Sequence, residues 1–220
     1  MVDDWRDRIF AQKSLWEVYA LSRRVLPRPM ANDFIFWSSA AILTGFFAWL
    51  IIGGRSLFGE QEALAFLRFC ATQGISLSVG ILGFLIAGFA IFANVTRAEL
   101  FITLASISYK KEGKETGINR LQFVFFNFIN VFITYIGLLA LCMLVAIGLS
   151  ETSPIIKVTA STHPSRLITP LLILLGLTVV LILWLIAALL KLKSFIWNLY
   201  QTVLVAIATE AEISDAKRKG

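Results

Sequence analysis

Residues 171–190 read LLILLGLTVVLILWLIAALL, twenty positions without an acid, a base or a histidine. About 20 apolar residues in a helix cross the roughly 30 Å hydrocarbon core of a bilayer. Three further runs share this character: Phe34–Ile52, Ile75–Ala93 and Phe123–Leu149, none with Asp, Glu, Lys, Arg or His. The third is 27 residues long, so it must tilt or reach past the hydrocarbon at one end. Each run is too long for a signal-peptide core, and no small-residue cleavage site follows a short first run. All four spans are therefore expected in the mature protein.

The whole-chain composition agrees. Of 220 residues, 58% are hydrophobic and 15% charged, and the mean hydropathy is +0.79. A soluble chain carries about 25% charge. This composition excludes a secreted disulfide scaffold, a disordered tail, a Rossmann-type enzyme and a free nucleic-acid-binding domain.

Orientation follows from the basic residues. Sixteen of the 20 Lys and Arg lie before Phe34, between Asn94 and Arg120, or after Leu190; only Arg55, Arg68, Lys157 and Arg166 occupy the other two connections. By the positive-inside rule both termini face the cytoplasm, in an inner (plasma) membrane. The pI near 9.5 then reflects topology and predicts no nucleic-acid partner. Trp37, Trp49 and Trp184 fall near span ends, where indoles suit the interface.

The predicted cytoplasmic parts are apolar for their location. Residues 2–26 read as a helix with Trp5, Ile9, Trp16 and Tyr19 on one side and Phe10, Val18, Leu21 and Val25 on another, ended by Pro27 and Pro29. Beyond Lys191 and Lys193 no Gly or Pro occurs until Gly220. Leu192, Ile196, Leu199, Val203 and Ala206 follow at alternating steps of four and three, the coiled-coil spacing. No charge lies between Ser194 and Thr209. This surface is expected to be covered by the N-terminal helix, the 98–109 segment or a neighbouring subunit, in preference to lying flat on lipid. Trp5, Ile9, Trp16, Leu192, Ile196, Leu199 and Val203 are its candidate partner-binding residues.

The remaining connections are expected to be simple. Residues 110–119 read as an exposed turn, Gly53–Gly74 as an outer connection with a weakly amphipathic stretch at 60–70, and Ser150–Arg166 as a loop. Cys70 and Cys142 fall at different depths and are not expected to pair. His163, alone before Pro164, lacks companions for a metal site. Asn94-Val95-Thr96 matches a glycosylation acceptor but falls on the cytoplasmic side, where it would stay unmodified.

Two stripes within the spans stand out. Ser76, Gly80, Gly83, Ala87, Ala90 and Asn94 recur at steps of 4, 3, 4, 3, 4; Asn127, Asn130, Thr134 and Gly137 at 3, 4, 3. In lipid, helices associate through small residues and interhelical hydrogen bonds. The plainer reading packs the second and third spans together within one bundle. The sharper one turns a stripe toward a symmetry axis, as an oligomer interface or a narrow pore.

No span carries an ionisable residue, which argues against coupled transport. No Ser-His-acid set, zinc spacing, phosphate-binding glycine loop or pair of facing carboxylates occurs, so no catalytic, cofactor or metal residues are assigned and no enzyme is expected. Arg97 beside Glu99 reads as an interfacial ion pair. The layout resembles that of many small four-span proteins, colicin-immunity and phage-defence membrane components among them, without a motif that carries residues over.

The sequence thus predicts an all-α integral membrane protein: a cytoplasmic amphipathic helix at 1–33, a four-span bundle at 34–190 with a cytoplasmic connection at 94–120, and a cytoplasmic extension of the fourth helix at 191–220. The N-terminal helix and that extension form a cytoplasmic helical subdomain. The expected role is an oligomeric, membrane-embedded interaction module for a cytosolic protein partner. The alternative is a small pore or channel that a partner could gate, as in a membrane-permeabilising effector.

Overall fold

The computed structural model describes residues 14–26, 29–53, 59–95, 98–111, 114–150 and 168–219. The chain is nearly all helical. Its elements are α1 (Leu15–Val25), α2 (Met30–Gly53), α3 (Glu60–Val95), α4 (Ala98–Ser106), β1 (Ser108–Lys111), β2 (Lys114–Asn119), α5 (Arg120–Gly148) and α6 (Ile168–Lys219). Four of the helices contain stretches long and apolar enough to span a membrane: Met30–Leu50, Glu60–Ala90, Arg120–Gly148 and Leu171–Val205. At most a third of any such stretch is buried within the protein.

Local chemistry sets the helix ends. Ser14 caps α1 by accepting a hydrogen bond from the Glu17 N–H at 3.2 Å. At α5, Asn119 and Gln122 form a reciprocal capping box: the Gln122 N–H donates to Asn119 Oδ1 at 2.8 Å, and the Asn119 N–H donates to Gln122 Oε1 at 3.1 Å.

Two expectations change. Residues 110–111 and 114–119 belong to two paired antiparallel strands, β1 and β2, with Ile118 and Asn119 buried, so much of the expected exposed turn is a packed element and the fold is not purely α. An irregularity between Ser108 and Lys110 faces the stretch holding Gly117, whose φ of +73° suits glycine. Second, the expected outer connection is helical from Glu60 onward: α3 runs unbroken for 36 residues, with no Pro to stop it and with Glu and Arg both good helix formers, and Arg68 Nε donates to Leu149 O at 2.6 Å. As expected from the absence of Gly and Pro between Leu190 and Gly220, α6 continues without a break, for 52 residues in all. The Ser150–Arg166 loop from Glu151 onward, with His163, lies outside the described residues, as do Trp5, Ile9, Arg97 and Thr96.

The chain divides into two compact units. The first comprises Pro29–Gly83 and Thr134–Leu190. Its core includes Phe47, Ala63 and Leu175, flanked by Leu43, Leu50 and Leu174. Along α3, Ala63, Leu67, Ala71, Gly74 and Ser78 are buried, and Gly74 lets α5 approach closely: a Cβ there would stand 2.5 Å from Cys142 Sγ. Asn32 Nδ2 donates to Leu190 O at 3.3 Å, bringing the polar start of α2 level with Leu190.

The second unit comprises the chain up to Arg28, Phe84–Ile133 and the chain from Lys191. Leu26, Ile118, Phe123 and Phe126 form one cluster, with Val18, Leu21 and Tyr109 against it; Leu104, Ala105 and Leu121 form another. The Tyr109 ring stacks on Phe123 at 4.1 Å. Burial pushes the Tyr109 phenol up, and the Arg120 guanidinium pulls it partly back.

Candidate functional site: two stripes with opposite fates

A helix turns about 100° per residue, so a stripe's spacing defines an angle on its own helix. On α3, Ser76, Gly80, Gly83, Ala87, Ala90 and Asn94 are all exposed. Gly80 and Gly83 have no atom within 4 Å of where a Cβ would stand. Asn94 turns its amide back on its own helix, Nδ2 donating to Ala90 O at 2.8 Å. At 100° per residue this face lies half a turn from the buried one of Ala63, Leu67, Ala71, Gly74 and Ser78. Within the protein, then, α3 packs through a different small-residue face from the stripe, and the stripe is left open.

The α5 stripe goes inward. Asn127 is 5% exposed and Thr134 7%. Asn130 Oδ1 accepts a hydrogen bond from Lys191 Nζ of α6 at 3.3 Å. Gly137 makes room for the α6 indole, since a Cβ there would stand 3.1 Å from Trp184 Cζ2. Asn127 lines a crevice with Phe123, Val124, Phe195, Asn198 and Leu199 that is too narrow for a water molecule. This stripe is therefore a seam between α5 and α6. Lys191 and Asn198 are members that spacing on α5 alone does not reveal.

The candidate partner surface divides. On α6, Leu181, Ala188, Phe195 and Thr202 are buried at steps of seven, the heptad repeat of supercoiled helices. Leu192 and Leu199 sit half-buried beside that seam, while Ile196 and Val203 point away from it, 53% and 41% exposed. Of the five residues expected to share one face, these four fall on two, and Ala206 lies outside the described side chains. Trp16 is 71% exposed, with its ring edge-on to Tyr19.

Some buried polar atoms were not foreseen. Ser78 Oγ and the Tyr135 hydroxyl are buried and have no hydrogen-bond partner among the described residues, nor have Asn119 Nδ2 and Arg120 Nε. Among the described residues no three His, Cys, Asp or Glu side chains gather as a metal site would require. No protein-family model, curated protein or solved structure matches this chain.

Proposed function

We propose that this chain is an oligomeric, membrane-embedded interaction module, with both ends in the cytoplasm and apolar helical surfaces there that meet a cytosolic protein partner. The observation that carries this reading is the open stripe on α3: six small or polar residues on one face, none of them covered within the protein. Small residues on a lipid-facing helix gain little from acyl chains, but they let a second helix approach closely enough for backbone contact. The basic residues flanking the spans support the cytoplasmic assignment of both ends.

The pore alternative keeps only one lining. Asn127 and Asn130 face the crevice and α6, and Thr134 is buried, which leaves Ser76, Gly80, Gly83, Ala87, Ala90 and Asn94 as the face that could surround an axis.

The test compares Gly83→Leu with Gly88→Leu. Both glycines sit in open space, so neither substitution burdens the fold, but Gly88 lies off the stripe. Gly83→Leu is expected to lower the mass of the assembly extracted in mild detergent, whereas Gly88→Leu leaves it unchanged. Equal masses for both would remove the interface. Ion flux in liposomes carrying the parent protein and not the Gly83→Leu variant would favour the pore.

A further inference from the structure

The stretch of α6 beyond Leu190 carries a second heptad face that is not used within the chain. Lys193, Ile196, Tyr200, Val203 and Ile207 follow at steps of three, four, three and four, and all are exposed. The buried seam of Ala188, Phe195 and Thr202 lies roughly a third of a turn away on the same helix. Ile196, Tyr200 and Ile207 are each more than half exposed, and Trp197 beside them is 59% exposed.

Hydrocarbon does not cover all of this face: the apolar stretch Leu171–Val205 has 35 residues, about 15 more than a bilayer core needs. Twenty residues from Leu171 reach Leu190, and the polar start of α2 stands level with that point through the Asn32 hydrogen bond. Ile207 lies about 25 Å further along the helix. A protein surface is the remaining cover, and the charge pattern selects which. Between Ser194 and Thr209 there is no Asp, Glu, Lys, Arg or His. A soluble partner would find no ion to pair with here, and would itself have to keep an equally charge-free face in water when alone.

We infer that this face pairs with the same face of a second copy, as a parallel coiled coil. Insertion in the bilayer holds every copy parallel and at one depth, so identical seams meet in register without a search. The exposed parts of Ile196, Tyr200, Val203 and Ile207 offer on the order of 400 Å² per copy, about half of the ~800 Å² per partner of a stable interface, so this seam adds to an interface made by the spans. Lys193, at the membrane end of the seam, can turn its ammonium toward the headgroups. This pairing rests on the oligomeric reading above, extends it from the spans to the cytoplasmic helix, and takes Ile196 and Val203 out of the surface left for a cytosolic partner.

The test uses the full chain in native membranes, with single substitutions Ile196→Cys, Val203→Cys and Gln201→Cys; Gln201 is exposed but lies off the seam. Oxidation with copper phenanthroline is expected to shift Ile196→Cys and Val203→Cys to a dimer band several-fold stronger than Gln201→Cys or the parent protein. Equal yields at all three positions, or none, would overturn the pairing. Detergent-extracted mass separates the two claims: a monomeric parent protein removes the oligomer as well, whereas an oligomer without cross-links at Ile196 and Val203 removes the cytoplasmic pairing alone. Val203→Glu, which places like charges across the seam, is expected to abolish cross-linking from Ile196→Cys; persistence of that band would also count against the pairing.

Discussion

The stripes on α3 and α5 have the same spacing and end in opposite places. Ser76 to Asn94 stays open, whereas Asn127 to Gly137 is spent on α6. The difference lies in what each stripe's rival face can do. Half a turn from its stripe, α3 has a second small-residue face whose Gly74 admits Cys142, and that face takes the in-chain contact. On α5 the stripe carries two asparagines and a threonine, side chains that need partners in an apolar medium, and Lys191 and Asn198 stand across from it. Smallness permits packing. Hydrogen-bonding need demands it, and where the two compete the polar face goes inside.

The sharpest way to break this comparison is to fill both faces of α3. Gly74→Leu drives a side chain into the space of the fully buried Cys142, and overpacking of this kind costs about 1–3 kcal/mol or more. The folded fraction in detergent should fall steeply on heating. Gly83→Leu should leave the unfolding temperature of the isolated protomer unchanged. If the two variants unfold alike, the buried face has been assigned to the wrong side of α3. Combining Gly74→Ala with Cys142→Ala should restore part of what Gly74→Ala alone loses, since the clash has a single named partner.

The α5 seam can be sharpened by a double-mutant cycle on Asn130→Leu and Lys191→Met. Hydrogen bonds between membrane helices average roughly 0.6 kcal/mol by this method and reach about 1.7. With a charged donor at 3.3 Å, a coupling near the upper end is expected. Additive losses in thermal unfolding would show that Asn130 and Lys191 act independently, and the seam would then rest on Gly137 and Trp184.

The four spans were legible because charge is excluded from hydrocarbon, so gaps in charge map directly onto helices. Their ends were less so. Glu60, Glu62 and Arg68 interrupt the apolar window ahead of Ile75, yet α3 runs through them, because Glu and Arg are both good helix formers and no Pro stops it. The strand pair was hidden because Lys110, Lys111 and Lys114 make it read as a solvated turn, while its packing comes from Ile118 and Asn119. Both stripes were found residue by residue, but not their directions. Spacing gives an angle on one helix, and only the neighbouring helix says which way that angle points. The α6 surface shows this most clearly: steps of four and three describe both its faces, and the buried one is distinguished only by Leu181, Ala188, Phe195 and Thr202 meeting the rest of the chain.

The smallest effect concerns the polar atoms that gain nothing from burial. Tyr135 is fully buried on α5, off the asparagine stripe, and its hydroxyl has no partner among the described residues. If hydrogen-bonding need is what sends the asparagine stripe inward, this hydroxyl is the contrary case, a donor buried for the bulk of its ring alone. Tyr135→Phe keeps that bulk and removes the unpaired group, whose desolvation costs about 1–3 kcal/mol. Thermal unfolding should be unchanged or shifted upward, whereas Asn130→Leu shifts it down. A clear loss of stability in Tyr135→Phe would mean that the hydroxyl has a partner after all. The distinction between side chains buried for their size and side chains buried for their hydrogen bonds would then have to be redrawn on α5.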